Sequence, residues 1–169
     1  KTCLLALWFS LSLPATQVFA KEPFPAREMA QTIPTDPALL KGTLANGLQY
    51  YILKHTQPTN NVELRLVVRA GSVNELAHER GISHFLEHMV FNGTRLYPKH
   101  QLIDTLENMG VQFGTDLNAY TGFDETTYIL PIPLNNPKNF EKSVGILEQL
   151  AFHATLLPED IDQERSVIT

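Results

Sequence analysis

Apolar and polar residues change period along this chain, and each change marks an element. Val62, Leu64, Leu66 and Val68 alternate with Glu63, Arg65, Val67 and Arg69. That period of two predicts a half-buried strand, ended by Gly71-Ser72. Upstream, Asn46-Gly47 sits between short β-prone runs, the second being Leu48–Leu53, and predicts a hairpin. From Gly81 to Phe91 the period lengthens. Ile82, Phe85, Leu86, Met89 and Val90 fall at i, i+3, i+4, i+7 and i+8, which predicts an amphipathic helix with that arc on the core and Asn92-Gly93 as its stop. A second helix is expected over Lys99–Met109, closed by Gly110. Leu117–Tyr120 and Thr126–Ile132 read as strands around a turn at Gly122-Phe123-Asp124, with Pro131 and Pro133 marking the second as an edge strand or a strand end. A long helix is expected from Pro137 to about Leu156, with Phe140, Val144, Leu147, Leu150 and Ala151 on its apolar face. Pro158, followed by Glu159 and Asp160, opens a last helix with Ile161 and Ile168 on its apolar side. This order predicts an α+β domain, a mixed or antiparallel sheet with helices packed on one face.

Composition changes the picture at the ends. The 169 residues are 43% apolar and 18% charged, the size and balance of one globular domain, which excludes collagen-like, low-complexity and disulfide-stapled classes. The only Cys (Cys3) and the only Trp (Trp8) both lie in the first ten residues, with the uncharged run Leu4–Leu13. Lys1, that run, Pro14 and the small residues of Val18-Phe19-Ala20 read as a secretory signal over residues 1–20, cleaved before Lys21. The run is too short to span a bilayer, which needs ~20 apolar residues, so no stable membrane anchor is expected after cleavage. Residues 21–41 carry Pro23, Pro25, Pro34 and Pro37 and read as a lead-in without regular structure. Cleavage removes one Lys and leaves 12 basic against 18 acidic residues, a net charge of −6. An acidic chain without a basic cluster argues against a nucleic-acid partner. The chain has no initiator Met and Thr169 falls inside a helical pattern, so the expectation is a fragment of a longer protein, incomplete at its C-terminus.

The candidate chemistry lies in His84-Phe85-Leu86-Glu87-His88. It fits H-x-x-E-H, the inverted zinc-peptidase motif. On a helix His84, Glu87 and His88 occupy the arc opposite the apolar set. Histidines one turn apart can share one Zn2+ through imidazole nitrogen at ~2.0–2.1 Å. Glu87 lies beside them as a general base for a zinc-bound water. A solvated polar face is the bland alternative, but the motif sits on an expected helix in an exported chain with no Cys left to bind metal. A catalytic zinc wants three protein ligands plus water, so the third must come from elsewhere in the chain. His55, His78, His100 and His153 have no partners at ligand spacing. No Ser-His-Asp order and no Gly-rich phosphate loop is visible.

The motif stands between Arg80-Gly81-Ile82-Ser83 and Phe91-Asn92-Gly93-Thr94. Together with Asn118-Ala119-Tyr120-Thr121, Asp124-Glu125-Thr126 and Glu164-Arg165-Ser166-Val167-Ile168, it resembles the pitrilysin/insulinase family of zinc metallopeptidases, above all its bacterial periplasmic members. The resemblance covers about Gly42–Thr169. It implies an α/β roll of the metallohydrolase type and an N-terminal catalytic domain over residues 42–169. It implies His84 and His88 as zinc ligands, Glu87 as base, and Asn118, Ala119, Tyr120 and Thr121 as a strand lining the substrate cleft. It also implies a third ligand seven residues beyond Glu164, at position 171 and past Thr169, which makes Glu164 a group that orients a histidine. Glu164 stays the fallback ligand. The implied activity is a zinc-dependent endopeptidase acting on peptides or unfolded polypeptides in the periplasm of a Gram-negative bacterium. Its partners are homologous C-terminal domains of the same chain, without which residues 21–169 are expected to be inactive. The alternative is a non-catalytic binding or assembly subunit built on the same domain.

Overall fold

The computed structural model describes residues 34–99, 101–112, 114 and 118–168, the last without its side chain. The expected export signal and the lead-in up to Ile33 lie outside these residues. The chain divides into two units between Lys54 and His55. In the first, β1 (Leu40–Thr43) pairs antiparallel with β2 (Gln49–Ile52), Leu40 opposite Ile52 and Thr43 opposite Gln49. The turn falls at Asn46-Gly47 as expected, with the Asn46 side chain accepting from the Leu48 amide at 3.1 Å. Pairing with β2 draws Leu40 and Lys41, assigned above to the irregular lead-in, into a strand.

The second unit holds β3 (Asn61–Val68), a 3-10 turn (Ser72–Asn74), α1 (Ile82–Asn92), α2 (Gln101–Asn108), β4 (Asn118–Thr121), β5 (Thr126–Pro133), α3 (Lys138–Phe152) and α4 (Pro158–Ile168). Its sheet is antiparallel, in the order β3-β5-β4. The fold is the expected α+β class. Register decides the faces. Val62, Leu64 and Leu66 lie opposite Ile132, Leu130 and Tyr128 and share one side. That side meets Val90 of α1, Leu102 and Leu106 of α2, and Ile146 and Leu150 of α3 in one core. On the other side Glu63, Arg65 and Val67 are exposed, so the helices cover one face.

Three expectations are corrected. First, β5 ends at Pro133, as one reading of its prolines has it, but it is the central strand and not an edge. The Leu134 amide bonds the Asn60 carbonyl, so even-numbered amides of β5 face β3 and odd-numbered ones face away. Pro131 and Pro133 therefore turn their donor-less nitrogens to the β4 side. There the pairing of described residues stops at Asn118 opposite Ile129, short of both prolines.

Second, α1 buries only part of its apolar arc: Met89 and Val90 are buried and Phe85 is half-buried, but the other two members are not. Ile82 and Leu86 are 55% and 45% exposed, whereas Glu87 is only 8% exposed. The reason is that α1 packs against β4 and α4 as well as the sheet, and both offer polar partners.

Third, α3 ends at Phe152 and is rotated from the expected face, of which Leu150 is buried and Leu147 packs on the core. Phe140 and Val144 are exposed, and the buried stripe is Asn139, Ser143, Ile146, Gln149 and Leu150. Each buried polar member has work that an apolar residue could not do. Asn139 Nδ2 donates to the Pro133 carbonyl at 2.8 Å and the Met109 carbonyl at 3.3 Å. Ser143 donates to the Phe140 carbonyl, and Gln149 accepts from the Leu96 amide. Hydrophobic period alone could not find this face, because hydrogen bonding selects it.

The start of α1 is set by two features. Gly81, its N-cap, has φ +91, a left-handed conformation that costs a side-chain-bearing residue dearly. A glycine cannot cap with a side chain, and Glu75 caps from outside. Its carboxylate accepts from the Gly81 and Ser83 amides, both at 2.8 Å. The Ser83 amide first, then the Gly81 amide and the Ser83 hydroxyl, hold the Glu75 carboxyl below the usual carboxylate range. Because the folded value is lowered, its contribution to stability is present above the unfolded pKa and is lost as pH falls through the folded one.

Two tests follow from this packing. Asn139→Leu adds apolar surface yet strands two carbonyls, so a loss of about 1–3 kcal/mol is expected in urea unfolding; an unchanged midpoint would refute the assigned face. Glu75→Gln should lower the melting temperature near pH 7, with the deficit shrinking as the pH nears ~3. A deficit independent of pH would show that the carboxylate charge is not the capping element.

Candidate metal centre

One turn of α1 separates His84 from His88, and the two rings meet edge to face with their Nε2 atoms 3.1 Å apart. Two imidazole nitrogens bound to one tetrahedral cation at ~2.0–2.1 Å stand ~3.3 Å apart, so the pair fits a shared ion with little movement. Glu87 completes the group: one ligand atom from each of the three residues lies within 4.8 Å of the others. The donor set, two imidazoles and a carboxylate without sulfur, suits a divalent transition-metal cation, Zn2+ among them. His84 is exposed, His88 half-buried and Glu87 buried, so the group opens to solvent on the His84 side.

Each side chain is held from a different element. Thr121, at the end of β4, donates to Glu87 Oε2 over 2.5 Å. The alternation of β4 explains this: Ala119 packs on the core, so Thr121, two residues on, faces the helices as well. Burial, and then the Glu87 carboxylate, push the phenol of Tyr128 up to about 12, so it stays a neutral wall beside the acid. His88 is held from α4. Its Nδ1 lies 2.8 Å from Glu164 Oε1, while Asn92 Nδ2 donates to Glu164 Oε2 at 3.1 Å. A carboxylate only accepts, so Nδ1 carries the proton and the lone pair of Nε2 points at His84.

These contacts sort the sequence candidates. His84, Glu87 and His88 come together. Glu164 joins them from the far side of the His88 ring, on Nδ1 and not at the point where the Nε2 atoms converge. Asn118, Ala119, Tyr120 and Thr121 form β4, which among the described residues pairs only with β5. His55 contacts the Gln57 carbonyl, His78 lies near Glu79, and His153 meets Glu148 and Arg95, all away from the group. His100 lies outside the described residues.

A cleft of ≈ 450 Å³ adjoins the group, lined by His84, Glu87, Tyr120, Thr121, Ser72 and Glu75 among others. Gly71 precedes the lining residue Ser72. A Cβ there would stand 2.5 Å from the Gly122 carbonyl oxygen and 2.7 Å from that of Phe123. Only glycine lets the 3-10 turn dock on the β4–β5 turn, through Ser72 and Val73 amides at 3.2 and 2.8 Å from those same carbonyls. Sequence reasoning missed Asn92, Glu75 and the Thr121 hydroxyl. For Asn92 the signal was present: it lies four residues beyond His88 and so on the same helix stripe.

With this geometry in hand, likeness to known proteins is informative. Residues 50–169 match the family described as Insulinase (Peptidase family M16). The chain is 43% identical over 136 residues to the probable zinc protease PqqL of Haemophilus influenzae, covering 80% of this chain and 15% of that protein. It is 40% identical over 163 residues to the probable zinc protease PqqL of Escherichia coli, covering 96% and 17%. The crystal structure of that periplasmic E. coli protease superposes with a TM-score of 0.78 over 82% of this chain and 15% of the other. The ferredoxin protease FusC, crystallised as a mutant in complex with Arabidopsis ferredoxin, matches at 34% identity and TM-score 0.69, over 77% and 14%. The chain thus spans about one sixth of the length of these two curated relatives.

Proposed function

From the premise that this chain belongs to the insulinase family of M16 peptidases, we propose that it is the N-terminal catalytic part of a zinc-dependent endopeptidase. The observation that carries the reading is the convergence of the His84 and His88 Nε2 atoms beside the buried Glu87 carboxylate. His84 and His88 would hold Zn2+, and a Glu at position 171, two helical turns beyond Glu164, would complete the ligand set. When bound, zinc polarises the scissile carbonyl and lowers the pKa of the attacking water towards ~7.

The protein's own groups do the rest. Glu87 accepts the proton of the attacking water on its carboxylate and passes it to the leaving amine nitrogen. Thr121 steadies that carboxylate through Oε2. Glu164 keeps the proton on His88 Nδ1, so that Nε2 remains a ligand. An extended polypeptide would add along the open edge of β4, main chain to main chain, past Asn118, Ala119, Tyr120 and Thr121. Main-chain recognition of this kind suits unfolded or extended substrates and demands little of their sequence. Further domains of the full chain would close the chamber, and residues 21–169 alone are expected to be inactive. The periplasm is the proposed compartment, supported by the signal-like residues 1–20 and the periplasmic E. coli relative.

The test is a comparison of the full-length protein with its Glu87→Gln form. Both should hold about one zinc per chain, and hydrolysis of an unfolded polypeptide should fall by about 10²–10⁴-fold in the variant. Zinc bound by both with equal turnover would remove Glu87 as base. Zinc bound by both with no turnover in either would favour the binding-subunit alternative.

A further inference from the structure

The stripe of α1 that carries His84 and His88 continues to Asn92, spaced i, i+4 and i+8. Asn92 donates from Nδ2 to Glu164 Oε2 at 3.1 Å, while Oε1 of the same carboxylate meets His88 Nδ1 at 2.8 Å. One carboxylate from α4 is thereby gripped at both oxygens by two residues one turn apart on α1. The grip is directional. Without a second donor the carboxylate can rotate and leave Nδ1, whereas a donor fixed on the same helix as His88 holds it in the plane that the imidazole needs. Only a group with N–H to give serves here. An aspartate would set two acceptors against each other, and a leucine would offer nothing.

We infer that Asn92 is a positioning residue of the metal centre, fixing Glu164 so that the carboxylate holds the His88 ring with Nε2 on the cation shared with His84. The inference rests on the metallopeptidase reading and adds a residue to it. Asn92 touches neither the cation nor the substrate, and acts through Glu164. It is also separable from the docking of α4 as a whole. Lys99 Nζ reaches the buried Asp160 at 3.1 Å and Gln163 at 3.2 Å, which ties the first turns of α4 independently. Removing the Asn92 amide therefore frees one carboxylate and leaves the helix attached.

The test is zinc affinity of the full-length protein, read by competition with a chromophoric chelator. Asn92→Leu and the nearly isosteric Asn92→Asp should each weaken zinc binding about tenfold. Adding Glu164→Gln to Asn92→Asp reverses the polarity of the pair. The carboxamide now at 164 can donate to the carboxylate at 92 and keep its oxygen for His88 Nδ1–H. This double variant should bind zinc about threefold or more tighter than Asn92→Asp alone, which a purely structural role for Asn92 would not produce. The inference is overturned if both single variants stay within about twofold of wild type, or if the double variant binds no more tightly than Asn92→Asp. A wild-type protein that takes up no zinc would instead overturn the metallopeptidase reading, and this inference with it.

Discussion

An imidazole can offer Nε2 to a cation only when its proton sits on Nδ1, and one contact imposes that on His88. Glu164 stands 2.8 Å from Nδ1, reaching across from a helix that begins 70 residues after His88 in the chain, Pro158 against His88. The contact decides several things at once. It sets the tautomer, orients the ring towards His84, and gives α4 a polar reason to lie along α1. On the same stripe of α4, one turn before Glu164, Asp160 pairs with Lys99. Both carboxylates are satisfied by partners, so the helix packing is built on paired polar groups.

The sheet serves the same centre from the other side. α1 lies between α4 and the edge strand β4, so its two flanks see different chemistry. α4 grips His88, and β4 supplies the Thr121 hydroxyl to Glu87. The core beneath, from Val90 through Leu130 and Ile132 to Ile146, fixes the height of the helix above the sheet. The exposed Ile82 and Leu86 and the buried Glu87 are two sides of one fact: α1 is rotated to deliver a carboxylate inward, at the expense of apolar burial near its start. Sites that break a local rule in this way are expected where chemistry is done.

Much of this was legible in the residues. The alternation of Val62, Leu64 and Leu66 marks β3, and Asn46-Gly47 marks the hairpin, because period and turn chemistry are local. The H-x-x-E-H spacing brings His84, Glu87 and His88 together because one helix carries all three. What was illegible depends on partners distant in sequence. Pro131 and Pro133 look like edge signals, and only the register shows that their nitrogens turn to the β4 side, where pairing among the described residues stops at Ile129. The inward face of α3 is chosen by Asn139 reaching the carbonyls of Met109 and Pro133, which no period records. The role of Glu164 turns on which nitrogen of His88 it meets. The resemblance leaves it a fallback ligand, whereas its contact with Nδ1 is the geometry of a group that orients a ligand.

Whether His84 and His88 present Nε2 together to one zinc ion is read most directly by X-ray absorption at the zinc edge of the full-length protein. Two imidazole scatterers at ~2.0–2.1 Å are expected, falling to one when His88 is replaced by alanine. A zinc environment without imidazole, or one unchanged by His88→Ala, would contradict a shared ion.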